Sequence, residues 1–319
     1  MYKLLLGLVG LLAVIVMVPV AIIAFDAPKP PPAMASMADS LGPTNPEFPP
    51  PRHFQARDGA DLQYYAYPAG QDKVAVLIHG SAGPGTSMHT LAQSLRAAGV
   101  TAYVLDIRGH GGSGRRGDID YIGQIDDDLA DFVTQLRAAG GGKTRTLVGF
   151  SAGAGFTVRF AGGRYDTLFD NYLLLAPILP GGPAWRPNAG GWTSVAVPRI
   201  VTIAYLGLLG VHWFDGFNVI SYAVSPEMAC EMTASYSYRL AMNFGAGRQY
   251  ETYLKNIRRP AVVLVGDADE QVFADQLAPL LQGLGLNIPV TILPGMKHTD
   301  MIHAPAAMQA VVRAISGQE

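Results

Sequence analysis

The chain has 319 residues, with 23 Lys and Arg against 25 Asp and Glu, for a formal net charge of −2. That balance, with no basic stripe, excludes nucleic acid as a partner on electrostatic grounds, and the length suits one large domain or two small ones. A single cysteine, Cys230, excludes an internal disulfide and a cysteine metal site, and reads as a small buried apolar residue.

Leu4 to Phe25 contains no charged residue, and as a helix its 22 residues can cross a bilayer core of about 30 Å. Residues 1–26 therefore read as an N-terminal transmembrane helix. Lys3 and the terminal amine precede it, which favours a cytoplasmic N-terminus and an extracytoplasmic remainder. The alternative is secretion after cleavage at Ala33-Met34-Ala35. The apolar run exceeds the usual signal core of roughly 7–15 residues, and Pro28 to Pro32 intervene. Residues 27–51, rich in Pro, Ala, Met and Ser, read as an extended tether.

The globular part begins near Arg52. His53 to Ala56 and Leu62 to Tyr67 flank Asp58-Gly59, a hairpin signal. Val74 to His79 is a continuous apolar strand, as in a sheet covered on both faces. A helix over Ser87–Ala98 and a strand over Thr101–Leu105 follow. Ile122 to Ala139 has helical periodicity, with Ile125, Leu129, Phe132, Val133 and Leu136 on one side. The spacing then gives strand Thr146–Phe150, a helix, and strand Tyr172–Leu175. Strand Ala261–Val265, helix Val272–Leu284, strand Ile288–Leu293 and helix Ala304–Ile315 close the chain. Alternating strands and helices predict an α/β fold with a doubly wound, mostly parallel sheet, from residues 52–180 and 260–319. Residues 181–259 break the alternation, carry all three tryptophans, and are too long for a loop. They predict an inserted, mostly helical cap.

Gly149-Phe150-Ser151-Ala152-Gly153 reads G-x-S-x-G between a strand and a helix. In that context the pattern marks a nucleophile elbow, a strained turn that presents a serine hydroxyl above the sheet. A serine needs a base to take its proton, and the base needs an orienting acid. Downstream, Gly266-Asp267-Ala268-Asp269 and Pro294-Gly295-Met296-Lys297-His298 end two strands at the edge where active sites of such sheets lie. Asp267 competes with Asp269 as the acid, and His303 with His298 as the base. Asp126-Asp127-Asp128 occupies consecutive helical positions that point in different directions, so it reads as a solvated helix start rather than a metal site.

These motifs resemble the α/β-hydrolase superfamily, in its monoacylglycerol lipase/lysophospholipase-like (serine aminopeptidase-type) branch. The likeness rests on His79-Gly80-Ser81, Asp106-Ile107-Arg108-Gly109-His110-Gly111, the elbow, the G-x-x-D and the P-G-x-x-H, and it spans roughly residues 52–316. It implies Ser151 as nucleophile, Asp269 as acid and His298 as base. It also implies an oxyanion hole of the backbone N–H groups of Ser81 and Ala152, with no cofactor and no metal. Asp106, Arg108 and His110 then tie down a loop.

The expected function is membrane-anchored hydrolysis of a small-molecule or lipid carboxylic ester, of lysophospholipid or monoacylglycerol type. An amidase or aminopeptidase is the alternative, with Glu227, Glu231 and Glu251 available to clamp an amine. A non-catalytic binding member would carry a broken triad, and none is broken here. Ile200 to Val211 is apolar but too short to span a membrane. It is expected to pack on the core or to line an acyl pocket, with an outer face that touches lipid.

Overall fold

The computed structural model describes residues 17–42, 47–70, 72–186 and 191–317. Eight strands form the main sheet: β1 (Arg52–Gln55), β2 (Asp61–Tyr67), β3 (Lys73–Ile78), β4 (Thr101–Leu105), β5 (Thr144–Phe150), β6 (Asn171–Leu175), β10 (Ala261–Gly266) and β11 (Val290–Leu293). Their spatial order is β1-β2-β4-β3-β5-β6-β10-β11. The β1–β2 hairpin is antiparallel and pairs antiparallel onto β4, while every other pairing is parallel. Parallel direction puts the carboxyl ends of β3, β5, β10 and β11 along one edge, where all the candidate residues follow.

Both faces of the sheet are covered, as the unbroken apolar strands require. Along β3, Ala75 and Leu77 join a core that includes Leu91 and Leu95 of α3 (His89–Ala97) and Val311 of α10 (Pro305–Ser316). Val74, Val76 and Ile78 point the other way, to Leu129, Phe132 and Val133 of α4 (Gln124–Ala138). α5 (Ala152–Ala161) contributes Ala154 and Val158 to the first core and Phe156 and Phe160 to the second. Element ends moved for local reasons. α4 starts at Gln124 because Gly123 sits at φ 108, and β11 starts at Val290, after a proline whose carbonyl accepts from Val263. α9 (Ala274–Gly283) begins after Val272, whose N–H is taken by Asp269.

The insertion departs from the helical expectation. It holds a second, three-stranded antiparallel sheet of β7 (Thr193–Val195), β8 (Asn218–Tyr222) and β9 (Ser235–Ser237). With it come α6 (Val197–Leu208), α7 (Tyr238–Asn243) and α8 (Tyr250–Asn256). The strands are short and pair across long stretches of chain, so no local period announced them. Asn-Val-Ile-Ser-Tyr of β8 and Ser-Tyr-Ser of β9 suit a pleated, half-buried surface.

The expected transmembrane helix lies mostly outside the described residues. Residues 17–25 are helical (α1), and among the described residues no helix is long and apolar enough to cross a membrane. The tether reading needs correction, because residues 27–42 are not a free linker. Met34 donates its N–H to Ala223 O (3.1 Å), and Met37, in α2 (Ala35–Asp39), is buried in the core. Proline density gave an extended chain, but Met34 and Met37 supply apolar anchors that hold it down. Cys230 is exposed, not buried.

Candidate active site

Ser151 caps the N-terminus of α5 at φ 57, ψ −119, a region that costs a non-glycine residue about 1–3 kcal/mol. The surroundings over-determine that strain. Ser151 N–H donates to Leu175 O at 2.9 Å, and its carbonyl accepts from Ala154, Gly155 and Ile178 at 3.0, 3.1 and 3.2 Å. Glycine is obligatory on both sides of the turn. A Cβ at Gly149 would collide with the Gly153 carbonyl and the Thr157 hydroxyl, and one at Gly153 with the carbonyls of Ile78 and His79.

The structure brings Ser151, His298 and Asp269 together. The Ser151 hydroxyl lies 2.8 Å from His298 Nε2, and His298 Nδ1 lies 2.8 and 3.0 Å from Asp269 Oδ2 and Oδ1. With the proton on Nδ1, that nitrogen donates to the carboxylate and Nε2 is left to accept from the serine. Asp269 is held in turn by N–H donation from Gln271 (2.7 Å) and Val272 (2.9 Å) to Oδ1. All three side chains are buried. The competitors stand elsewhere: Asp267 accepts from Gly295 N–H at 2.6 Å, and His303 Nε2 lies 3.3 Å from Ser40 O.

Ala152 is the first residue of α5, so its N–H points out of a helix N-terminus, where negative charge is favoured. Among the described residues, neither the Ala152 nor the Ser81 N–H donates a hydrogen bond within the chain. The Ser81 loop is built with care. Ala82, at φ 61, donates its N–H to the Tyr236 hydroxyl (2.7 Å) and accepts from Thr233 N–H (2.8 Å). Tyr236 also meets His110 Nε2 at 2.6 Å, and the hydroxyls of Tyr222 and Tyr236 both bond to Ser81. Burial pushes both tyrosines well above the ordinary phenol range. Two cap strands thus grip the loop that carries one candidate oxyanion donor.

The remaining polar residues of the edge hold loops. Asp106 accepts from Gly85 N–H (2.6 Å), Gly112 N–H (2.9 Å) and Gln63 Nε2 (2.7 Å). His79 donates from Nδ1 to Gly80 O (2.8 Å) and accepts at Nε2 from Ile107 N–H (3.4 Å); burial lowers its pKa. The three consecutive aspartates point in different directions, but they are not solvated. Asp126 meets Arg159 (2.6 Å), Asp127 meets Arg164 and Arg57, and Asp128 accepts two bonds from Arg108 (2.8 Å each). Their arginines are distant in sequence, which hid the pairing. Among the described residues, no cluster of His, Cys, Asp or Glu could hold a metal ion.

Three neighbours of the site had no signal in the sequence. Trp192 of the cap packs edge-on against His298, with ring centroids 5.9 Å apart. Glu270 Oε2 accepts the backbone N–H of His298 at 3.1 Å and fixes the turn that carries it. Tyr236 is the third.

An eight-stranded, mostly parallel sheet with a strained serine at the end of β5 and an acid and a histidine after β10 and β11 defines an α/β-hydrolase. The sequence family described as serine aminopeptidase, S33 matches residues 69–303. The chain belongs to that family, and the resemblance drawn from its motifs is borne out. A monoacylglycerol lipase of Mycolicibacterium smegmatis is 34% identical over 107 residues, which is 33% of this chain. The match spans only 37% of that relative's length. A monoacylglycerol lipase of Paleococcus ferrophilus superposes with a TM-score of 0.61 at 19% identity, over 80% of this chain and 98% of that one. A soluble variant of the Saccharomyces cerevisiae monoglyceride lipase, in complex with a substrate analog, gives 0.62 at 16%, over 86% and 96%. These two likenesses establish the fold.

Proposed function

We propose that this chain is a membrane-anchored serine hydrolase of carboxylic esters, lipid-derived and of lysophospholipid or monoacylglycerol type. The observation that carries the reading is the unbroken line from Ser151 Oγ through His298 to Asp269, with both links at 2.8 Å. In the first half-reaction Ser151 Oγ attacks the ester carbonyl while His298 Nε2 takes its proton. Asp269 holds the imidazole by Nδ1 and stabilises its charge. The oxyanion is met by the N–H groups of Ala152 and Ser81, each worth about 10²–10³ in rate by comparison with other such holes. Collapse expels the alcohol, protonated by His298, and leaves Ser151 acylated. Water, deprotonated by the same histidine, then releases the acid.

Ester rather than amide cleavage is supported by the cap. Its residue against the triad is the aromatic Trp192, while Glu227, Glu231 and Glu251 are exposed side chains. Relatives described as monoacylglycerol lipases support the lipid class. Anchoring rests on the uncharged run from Leu4 to Phe25, and the extracytoplasmic orientation on Lys3 before it.

The test compares turnover of p-nitrophenyl acyl esters and monoacylglycerol with that of aminoacyl anilides. The reading expects esters to be cleaved and anilides to be poor substrates. Preferential anilide cleavage would overturn the ester assignment.

A further inference from the structure

Helix α6 carries apolar side chains on its outer as well as its inner side. Arg199 and Ile203 are buried on its inner side. Its outer side carries Val197, Val201, Tyr205 and Leu208, spaced four, four and three residues apart and so on one stripe. These side chains are 54%, 61%, 58% and 86% exposed. A helix facing water puts polar residues there. Beyond the helix end, exposed Leu209 and Trp213 extend the apolar surface.

α1 ends on this same element. Ile23 is buried with Ile203 and Val219, and the Asp26 carboxylate accepts the Arg199 N–H at 3.0 Å. The Ser221 hydroxyl donates to Pro28 O at 3.2 Å, just past the clasp. Ile22 is half-buried, while Met17, Val18, Val20 and Phe25 of α1 are all exposed. The last turns of an uncharged run of bilayer length are thus fastened to the cap and do not swing on a tether.

We infer that α1 and the outer stripe of α6 form one lipid-seated surface, with the cap lying in the interfacial zone of the bilayer. Tyr205 and Trp213 fit the head-group level, where aromatic side chains with a polar tip are favoured. A bilayer is favoured over a second copy or another protein because α1, the end of an uncharged run of bilayer length, is fastened to this same helix through Ile23, Ile203 and Asp26. An apolar helix showing so many sides suits a fluid apolar medium better than a single partner face. The consequence reaches the active site. Val195 of β7 is exposed beside the stripe, and three residues earlier Trp192 packs against His298. One short cap segment, from Trp192 to Val197, thus joins the proposed lipid-seated surface to the triad. This inference rests on the membrane-anchored reading above.

The test uses the full chain in phosphatidylcholine–phosphatidylglycerol vesicles. In a Cys230→Ser background, Leu208→Cys and Trp213→Cys carry an environment-sensitive fluorophore, with Gln282→Cys on exposed α9 as control. The probes at 208 and 213 should be quenched by lipid-borne nitroxide and protected from aqueous iodide, and the control should show the reverse. Iodide access at 208 while the chain cosediments with vesicles would overturn the inference and leave the anchor standing. Protection from both quenchers would mean a protein face, and failure to cosediment would remove the bilayer altogether; either overturns it. A second arm uses Val201→Asp/Leu208→Asp. Turnover of an ester held in vesicles should fall about tenfold, with a water-soluble ester unchanged. Equal loss on both esters would count against the surface. No turnover of either ester by the unaltered chain would overturn the esterase reading, with the quenching result still deciding this one.

Discussion

Tyr236→Phe deletes one oxygen and almost no volume, and it should damage turnover more than binding. The hydroxyl accepts the Ala82 N–H at 2.7 Å, meets His110 Nε2 at 2.6 Å and bonds to Ser81. Tyr236 is buried, so the Ala82 N–H loses its partner where water cannot replace it. An orphaned buried donor costs about 1–3 kcal/mol. Ala82 itself sits at φ 61, which costs roughly 1–2 kcal/mol and persists because both its N–H and its carbonyl are gripped. Freed on one side, Ala82 relaxes and carries the neighbouring Ser81 N–H away from the oxyanion. Full loss of one such donor costs on the order of 10²–10³ in kcat, so partial displacement should cost about 10- to 100-fold with KM little changed. The assay is steady-state hydrolysis of a p-nitrophenyl ester, paired with inhibition by a trifluoromethyl ketone that mimics the tetrahedral adduct. Ketone affinity should fall in step with kcat. A lower melting temperature with kcat and ketone affinity unchanged would refute the reasoning and leave Tyr236 as packing alone.

Other predictions follow from the same contacts. Gly149→Ala or Gly153→Ala forces a Cβ into backbone carbonyls and should destabilise the fold by roughly 3 kcal/mol or more, read by chemical denaturation. Arg108→Met leaves Asp128 buried without its partner and should cost about 3–5 kcal/mol, whereas Arg108→Met/Asp128→Leu should recover most of it. His79 and His110 are both lowered from 6.5, chiefly by burial. As pH falls below that value, the unfolded chain binds protons that the folded histidines refuse, so stability drops with acidity. The slope approaches about 1.4 kcal/mol per pH unit for each histidine, and melting curves between about pH 7.5 and 5 should flatten in His110→Gln.

Much of the site was legible because its chemistry is local. Gly149 is fixed by collisions with Gly153 and Thr157 a few residues on, the G-x-S-x-G spacing then marks Gly153, and strand ends before Asp269 and His298 follow from continuous apolar runs. What could not be read was long-range. Asp126, Asp127 and Asp128 looked like solvated helix-start residues because Arg159, Arg164 and Arg108 lie far along the chain. β7, β8 and β9 escaped because three- and five-residue strands carry no period of their own. The tether seemed extended because proline content says nothing of Met37 finding a core. Tyr236 bears on Ser81 only through a cap fold that no motif announces.

A fluorophosphonate probe bears most directly on the central claim, because it reacts only with a serine activated by its base. The account predicts one covalent adduct, located at Ser151 by peptide mass spectrometry, and lost in Ser151→Ala and His298→Ala while both variants remain folded. A folded chain that takes up no probe, or takes it up equally after Ser151→Ala, would contradict it.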